Sequence, residues 1–466
     1  MTIKKERLLC ATVTATAAIG VMLFYLFIIL AKASEAVNSY CITLLPIAVA
    51  CTLLIALSLK SDDNIPFMAI LFLTFLLVSG NAYQTVLGTV SYTKITIIHT
   101  FATILAVAVL LLYKYVIKKR ILITKEGYRK AIIVIGTAIL LMLLILLAVG
   151  SSINGAKLWV SIGGMTLQLS EIIKLLFYIL IALIYNSNAP TKQKLFAGLI
   201  ALGGTSLFLV LLNEFGTVML IVVVYSIALF TQVSDKYALL IIGGFALMIG
   251  ASLLLVFGTH EAVAEQSGFI ADKLNKIYGR LTVADNDQLT RALQGMINGG
   301  WFGADSNYRI DTFSFEADFA PAGVAQYFGI PVLVMCISSV CGLFYTIYLR
   351  SRSSELNNRS RFKLAYIFAA AIAVQGIFSL GGNIGVLPCA GIGFPALSWG
   401  GTQITALYIE TAFIVYGLQT STDCLPARIK HERRNFYVGE EIQPQNQGRQ
   451  YTHHRILCAL DCGNAQ

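Results

Sequence analysis

Residues Asn154–Lys174 read Asn-Gly-Ala-Lys-Leu-Trp-Val-Ser-Ile-Gly-Gly-Met-Thr-Leu-Gln-Leu-Ser-Glu-Ile-Ile-Lys. A glycine-containing loop with Trp159 leads into an apolar helix whose first two turns carry four polar residues, Gln168, Ser170, Glu171 and Lys174. An ionisable side chain at membrane depth costs about 2.5–3.5 kcal/mol by the lower estimates, so such groups pair or face a water-filled cavity. Glu171 and Lys174 lie three positions apart on one helix face and can neutralise each other. The stretch therefore predicts a membrane-spanning helix that lines a polar cavity.

Composition places the chain among membrane proteins. Hydrophobic residues make up 57% of its 466 residues, charged residues make up 12%, and the mean hydropathy is +0.75. These values exclude an ordinary soluble enzyme and predict an all-α polytopic integral membrane protein. About twelve apolar runs are long enough to be transmembrane helices, at residues 8–31, 40–59, 66–86, 95–117, 131–149, 168–186, 194–212, 215–233, 238–257, 322–349, 364–384 and 400–420.

The basic residues predict the orientation of these spans. With the N-terminus in the cytoplasm, 25 of the 34 Lys and Arg residues fall on the inner side, as the positive-inside rule requires. Both termini are then cytoplasmic, whereas the Gly155–Trp159 loop and one large loop at about 258–320 are extracellular. The net charge of +10 therefore reflects the basic residues on the cytoplasmic side of the membrane. No motif predicts a nucleic-acid partner.

Cysteine and histidine predict no metal site. The nine cysteines fall mostly in spans or on the cytoplasmic side, and no external pair suggests a disulfide framework. Four residues of the tail have a spacing that matches no standard zinc pattern, namely His453, His454, Cys458 and Cys462. No cofactor is evident. No carboxylate cluster demands a divalent cation, and the sequence leaves that requirement open.

Further motifs follow one another along the chain. They are Gly155-Ala156-x-x-Trp159 with Gln168-x-Ser170-Glu171-x-x-Lys174; Glu214-Phe215-Gly216-Thr217; Gln288-Leu289-Thr290 with Gly299-Gly300 and Gly303; Glu316-Ala317-Asp318-Phe319; and Leu387-Pro388, Gly391, Pro395 and Ser398-Trp399-Gly400-Gly401. Taken together, in this order and on one side of the membrane, they resemble the SEDS family (shape, elongation, division and sporulation), which includes the RodA, FtsW and SpoVE proteins.

The resemblance implies a peptidoglycan glycosyltransferase that polymerises lipid II at the outer face of the bacterial cytoplasmic membrane. It implies a class B penicillin-binding transpeptidase as the partner. It also divides the chain into N-terminal transmembrane helices (1–130) and a membrane core (131–420) that includes the extracellular loop 258–320. Residues 421–466 are polar and lack helical periodicity, which predicts a weakly ordered cytoplasmic tail. The position of the family's catalytic base is Asp318. The implied substrate-binding residues are Trp159, Gln168, Ser170, Glu171, Lys174, Glu214, Arg280, Gln288, Arg291 and Glu316.

The implied chemistry suits these residue types. An acceptor sugar hydroxyl attacks the anomeric carbon of a lipid-pyrophosphoryl donor, so the hydroxyl needs a base and the departing pyrophosphate needs positive charge or a metal ion. One carboxylate, Asp318, suffices as the base. Candidates to hold phosphate oxygens are Lys174, Arg280 and Arg291, the arginines through bidentate contacts.

Each assignment has a structural alternative. Asp318 is also a favoured residue for a helix N-cap, with Pro321 suited to the first turn. Trp159 is equally suited to anchoring at the membrane interface. Glu171 and Lys174 can form a pair that only joins helices, and Glu214 can simply cap the hairpin between two spans. Glu410, in the last span, has no recognised equivalent in the family.

Two other classes of function compete with the polymerase. One is a flippase or transporter of the lipid-linked precursor, with Glu171, Lys174 and Glu410 on its pathway. The other is a non-catalytic scaffold of a division complex. Departures from the family pattern mark a divergent member: Glu214 replaces Asp, Arg291 replaces Gln, Glu316 replaces His, and Gln326-Tyr327 replaces an acidic pair.

Overall fold

The computed structural model describes residues 3–59, 61, 64–122, 124–153, 156–162, 165–232, 243–244, 287–310, 314–351 and 360–419. The predicted span 238–257 (apart from residues 243–244), residues 258–286 of the large loop, and the tail 421–466 lie outside these residues. The α-helices, numbered along the described residues, are α1 Ile3–Lys32, α2 Val37–Ser58, α3 Ile65–Leu87, α4 Tyr92–Leu112, α5 Lys125–Val149, α6 Leu169–Asn186, α7 Thr191–Leu211, α8 Phe215–Gln232, α9 Asp287–Gly299, α10 Ala320–Phe328, α11 Ile330–Ser351, α12 Ser360–Asn383 and α13 Gly401–Leu418.

Apart from 238–257 and 322–349, each predicted span overlaps one described α-helix. Nine helices in the described part of the chain are long and apolar enough to cross a membrane, and α8 supplies a shorter apolar stretch at Phe215–Phe230. The tight hairpin predicted between 194–212 and 215–233 is present, because α7 ends at Leu211 and α8 begins at Phe215. A π-helix, Tyr113–Ile121, continues α4 towards the basic segment before α5. The all-α polytopic fold class is confirmed.

One predicted span, 322–349, is wrong in detail, since it consists of two helices. The chain breaks at Gly329, whose φ of 95° is a conformation that glycine adopts without steric strain. A Cβ at Gly329 would also overlap the backbone carbonyl of Trp301. The amide of Ile330 donates a 2.8 Å hydrogen bond to the carbonyl of Gly300. The turn around Trp301 therefore fixes the junction between α10 and α11.

The segment before α6 is a small sheet, which the prediction of a loop missed. Strands β1 (Ser151–Ile153), β2 (Ala156–Ile162) and β3 (Met165–Gln168) pair antiparallel in that order. Trp159 lies opposite Ser151 on one side and Gln168 on the other. The sequence does contain the hairpin signals: Asn-Gly stands between β1 and β2, and Gly-Gly between β2 and β3.

Among the nine described helices long enough to cross a membrane, α3 and α12 are the most enclosed. In each, 78% of the apolar window is buried, compared with 17% in α5. Helix α3 therefore lies inside the bundle although it stands near the N-terminus. A separate apolar cluster joins α9 to α10 and the turn before it; its buried members are Leu289, Ala292, Phe315, Phe319 and Ala322.

Candidate functional site

The candidate site forms around the turn Ser314–Phe319, directly before α10. Phe315 and Phe319 are four residues apart and both insert into the apolar cluster with α9. The amides of Ala317 and Phe319 both donate to the carbonyl of Ser314, at 3.0 Å. This anchoring turns the intervening residues outward, so Glu316 and Asp318 are half-buried rather than enclosed.

Each carbonyl of this turn from residue 315 to 318 accepts a hydrogen bond from another part of the chain. Two come from α3: Tyr83 Oη donates to Phe315 at 2.8 Å, and Gln84 Nε2 donates to Glu316 at 3.0 Å. A third comes from the end of α12, where Asn383 Nδ2 donates to Asp318 at 2.8 Å. Asn383 Oδ1 also accepts from the Ala322 amide at 3.2 Å, which fixes the first turn of α10.

The motif Ser398-Trp399 supplies the remaining contacts. The Trp399 amide donates to the carbonyl of Glu316 at 2.6 Å. Ser398 Oγ donates to the carbonyl of Ala317 at 2.5 Å and accepts from the amide of Phe394 at 2.7 Å. The motif at residues 316–319 and the motif at residues 398–401, which are far apart in the sequence, are therefore joined by hydrogen bonds.

A glycine forms the wall beside the Asp318 carboxylate. Gly391 has φ +67°, and a Cβ built on it would lie 3.6 Å from Asp318 Oδ2. On its other side, this loop packs against the α7–α8 hairpin, since a Cβ on Gly216 would approach the carbonyl of Ala390 to 2.7 Å. The hairpin motif and the closing motif therefore both reach the neighbourhood of Asp318.

The structural alternative for Asp318 does not hold. The N-cap residue of α10 is Phe319, one position later, while Pro321 does stand in the first turn. For Glu214 the structural alternative is confirmed: its Oε1 accepts from the Thr217 amide at 3.1 Å and from Thr217 Oγ1 at 2.7 Å, so it caps α8.

The polar helix start of α6 lines a narrow buried pocket, as predicted. Lys174 Nζ lies 2.8 Å from Glu171 Oε2 and donates to Gln375 Oε1 at 2.9 Å. Gln375 Nε2 in turn donates to the carbonyl of Gly393 at 2.9 Å, in the loop that also carries Gly391. Glu410 lines the same pocket, together with Pro395 and Gln403. The pocket has space for about one water molecule.

The other candidate residues are dispersed. Trp159 is half-buried in the middle of β2. The main-chain amide of Gln168 donates a hydrogen bond to Thr402 Oγ1 at 3.2 Å. Ser170 is fully buried, and its hydroxyl has no hydrogen-bond partner among the described residues. Gln288 and Arg291 lie exposed on α9, whereas Arg280 lies outside the described residues.

Sequence reasoning missed Tyr83, Gln84, Gln375 and Asn383. The signal was available, because each is a polar residue in a long apolar run, the same feature that identified Glu171 and Lys174. Within the described part of the chain, no group of three or more His, Cys, Asp or Glu side chains is placed to hold a metal ion.

Comparison with known proteins identifies the family of this chain and several relatives. Residues 101–423 match the family of cell cycle proteins named for FtsW, RodA and SpoVE. A probable peptidoglycan glycosyltransferase FtsW of Thioalkalivibrio sulfidiphilus is 26% identical over 311 residues, which cover 64% of this chain and 75% of the relative. The corresponding protein of Legionella pneumophila is 27% identical over 319 residues, covering 64% and 73%.

Two solved structures share the fold. One, described as "Structural coordination of polymerization and crosslinking by a peptidoglycan synthase complex", has a TM-score of 0.53 at 18% identity and covers 76% of this chain and 97% of its own. The other, a mutant of the rod shape determining protein RodA of Thermus thermophilus, has a TM-score of 0.50 at 17% identity, covering 76% and 96%. The chain is thus an integral membrane protein that belongs to the FtsW, RodA and SpoVE family of cell cycle proteins.

Proposed function

We propose that this protein is a peptidoglycan glycosyltransferase that polymerises lipid II into glycan strands, with Asp318 as the general base. The FtsW relatives carry the name of that activity. The observation that carries the proposal is the convergence of motifs on one carboxylate. Gly391 lies against Asp318, and the Ser398-Trp399 motif binds the two carbonyls before it.

The proposed reaction needs one proton acceptor at the acceptor sugar. The sugar hydroxyl oxygen bonds to the anomeric carbon of the donor while the bond from that carbon to the pyrophosphate oxygen breaks. The hydroxyl proton moves to the Asp318 carboxylate, and the lipid pyrophosphate leaves with the bonding electrons. A positioned base of this kind contributes about 10²–10⁴-fold to the rate.

The departing pyrophosphate needs compensation for its negative charge. The charge of Lys174 is already neutralised by Glu171, and its ammonium group also donates a hydrogen bond to Gln375. Lys174 is therefore a weaker candidate for a phosphate ligand. Arg291 is exposed on α9 and better suited, since its guanidinium can bind phosphate oxygens through two parallel hydrogen bonds. Arg280 and a divalent cation remain candidates for the same task; activity with and without a chelator tests the cation.

The partner and the orientation belong to the same proposal. A class B penicillin-binding transpeptidase would crosslink the strands made here, which is supported by the likeness to a complex described by polymerisation and crosslinking. Both termini would be cytoplasmic, which places Asp318 at the outer face of the bacterial membrane, where lipid II is used. Glu316 and Trp159 would contribute to substrate binding near that face.

The decisive experiment compares Asp318→Asn with Asp305→Asn in the full-length protein, purified with its transpeptidase partner and supplied with lipid II. Asp305 is an exposed aspartate of the same external segment. We expect Asp318→Asn to lower the polymerisation rate at least about 100-fold, and Asp305→Asn to leave it unchanged. Undiminished polymer from Asp318→Asn would refute the base assignment.

A parallel assay of the movement of the lipid-linked precursor across vesicle membranes tests the alternative function as a transporter. A transporter would lose movement on substitution of Lys174 or Glu410 and tolerate Asp318→Asn. A scaffold would show neither activity in the wild-type protein.

A further inference from the structure

We propose that Tyr83 and Gln84 of α3 are positioning residues for Asp318, which hold the turn Ser314–Phe319 against the Ser398-Trp399 motif. The inference rests on the proposed function of Asp318. Neither residue touches the carboxylate itself. Both act through the main-chain carbonyls of Phe315 and Glu316, the residues that precede Asp318 by three and two positions.

Gln84 joins the two halves of the site with one amide group. Its side chain is buried, with 3% of its surface exposed. Nε2 donates to the carbonyl of Glu316 at 3.0 Å and to the carbonyl of Leu397 at 2.7 Å. A primary amide has two N–H donors, so the two bonds use both. Gln84 therefore fixes the spacing between the turn that carries Asp318 and the residue before Ser398.

The approach of α3 to the closing motif depends on Gly80, one helical turn before Gln84. A Cβ on Gly80 would overlap the backbone carbonyl of Ala396. Residues four apart lie on the same helix face, so Gly80 and Gln84 face the same segment. The close contact at Gly80 brings the Gln84 amide within hydrogen-bonding distance of Leu397.

Tyr83 holds the other side of the turn. It is fully buried, and its hydroxyl donates to the carbonyl of Phe315 at 2.8 Å. Its hydroxyl occupies space left by Gly323 in α10, where a Cβ would overlap it. The ring lies edge-on to Tyr327, with centroids 6.1 Å apart. Helix α3 therefore contacts both the turn before Asp318 and the helix after it.

This arrangement extends the site beyond the family match. That match begins at residue 101, whereas α3 ends at Leu87. A displacement of about 1 Å in a reacting group can lower a rate about 100-fold. Hydrogen bonds that set the position of the Asp318 turn therefore affect the rate without contributing to substrate affinity.

The chain contains matched controls for both residues. Asn81 is a second buried amide on α3, 2% exposed, and neither of its side-chain polar atoms has a partner among the described residues. Tyr25 is a second fully buried tyrosine, whose hydroxyl donates to Ser79 Oγ at 2.6 Å, away from the turn. Asn81 and Tyr25 therefore carry similar groups, and neither side chain has a hydrogen bond to residues 314–319 in the described part of the chain.

The test uses the full-length protein with its partner and lipid II. For Gln84→Met and Tyr83→Phe we expect kcat to fall about 10- to 100-fold with KM for lipid II unchanged. Asn81→Leu and Tyr25→Phe should retain wild-type kcat. Hydrogen–deuterium exchange of the peptide covering residues 314–320 should be faster in Gln84→Met and Tyr83→Phe than in either control.

The outcomes separate the positioning role from the proposed function. Wild-type kcat and wild-type exchange in both Gln84→Met and Tyr83→Phe would overturn the positioning role. If Gln84→Met does not fold, Tyr83→Phe, which lacks one oxygen atom, decides the question. If the wild-type protein makes no polymer, the proposed function fails, while the exchange comparison still decides whether α3 holds the turn.

Discussion

The main-chain amide of Trp399 donates a 2.6 Å hydrogen bond to the carbonyl of Glu316, and the adjacent side chain of Ser398 binds the next carbonyl, that of Ala317. Two consecutive residues of one motif thus bind two consecutive carbonyls of the other. The position of Asp318 is therefore set through the main-chain carbonyls of its turn, which accept hydrogen bonds mostly from side chains elsewhere in the fold.

Gly391 offers a test of the space beside the carboxylate. We expect Gly391→Val to lower polymerisation at least about 10-fold, because its side chain would occupy the space next to Asp318 Oδ2 that reacting atoms must enter. The backbone strain of a non-glycine residue at positive φ adds about 1–2 kcal/mol to the loss of stability. Gly88→Val is the control, since Gly88 has φ +71° with nothing within 4 Å. Equal activity losses in the two variants would count against the role of Gly391.

Ser398→Ala tests the connection between the motifs. The substitution removes the donor to the Ala317 carbonyl and the acceptor of the Phe394 amide. A buried group left without its partner costs about 1–3 kcal/mol, so we expect a lower unfolding temperature together with slower polymerisation. Ser339→Ala should change neither property, because Ser339 Oγ, among the residues that the structure describes, bonds a carbonyl of its own helix, that of Met335, at 2.8 Å. Wild-type behaviour of Ser398→Ala would contradict the connection.

We expect Lys174 to stabilise the folded protein in addition to lining the pocket. Lys174→Met leaves Glu171 and Glu410 in one buried pocket without a cation. Removing one partner of a buried ion pair costs about 3–5 kcal/mol, which thermal unfolding in detergent would measure as a large fall in midpoint. Adding Glu171→Gln to Lys174→Met should recover part of the loss. No recovery in the double variant would show that the pair does not act as a unit.

The orientation is tested by labelling. In a background without the native cysteines, a cysteine at Asn307 should react with an impermeant maleimide added outside the cell. A cysteine at Asn357 should react only after permeabilisation. The expectation follows from the excess of Lys and Arg on the inner side. The reverse labelling would overturn the assignment of Asp318 to the outer face.

The helical skeleton could be predicted from the sequence because each span is a long apolar run, and the Glu171–Lys174 pair because two opposite charges stood one turn apart. The break at Gly329 could not be predicted, since it depends on contact with Trp301, a residue distant in sequence. The strands around Trp159 were missed because the glycines between them were interpreted as part of a loop, although Asn-Gly and Gly-Gly are also hairpin signals in a sequence.

The contacts of Tyr83 and Gln84 could not be predicted from the sequence for a different reason. Their partners are main-chain carbonyls more than two hundred positions away, and carbonyls carry no sequence signature. Polar residues in an apolar helix indicate that a partner exists, and only the fold identifies it.

Helix α10 begins two residues after Asp318, and all nine of its residues are buried. It therefore has no surface in contact with lipid, unlike the spanning helices that enclose it. Changes in bilayer thickness or composition, which tilt exposed spans, should therefore reach α10 only through the helices packed around it. The break at Gly329 thus leaves the helix beside Asp318 mechanically insulated from the membrane by its neighbours.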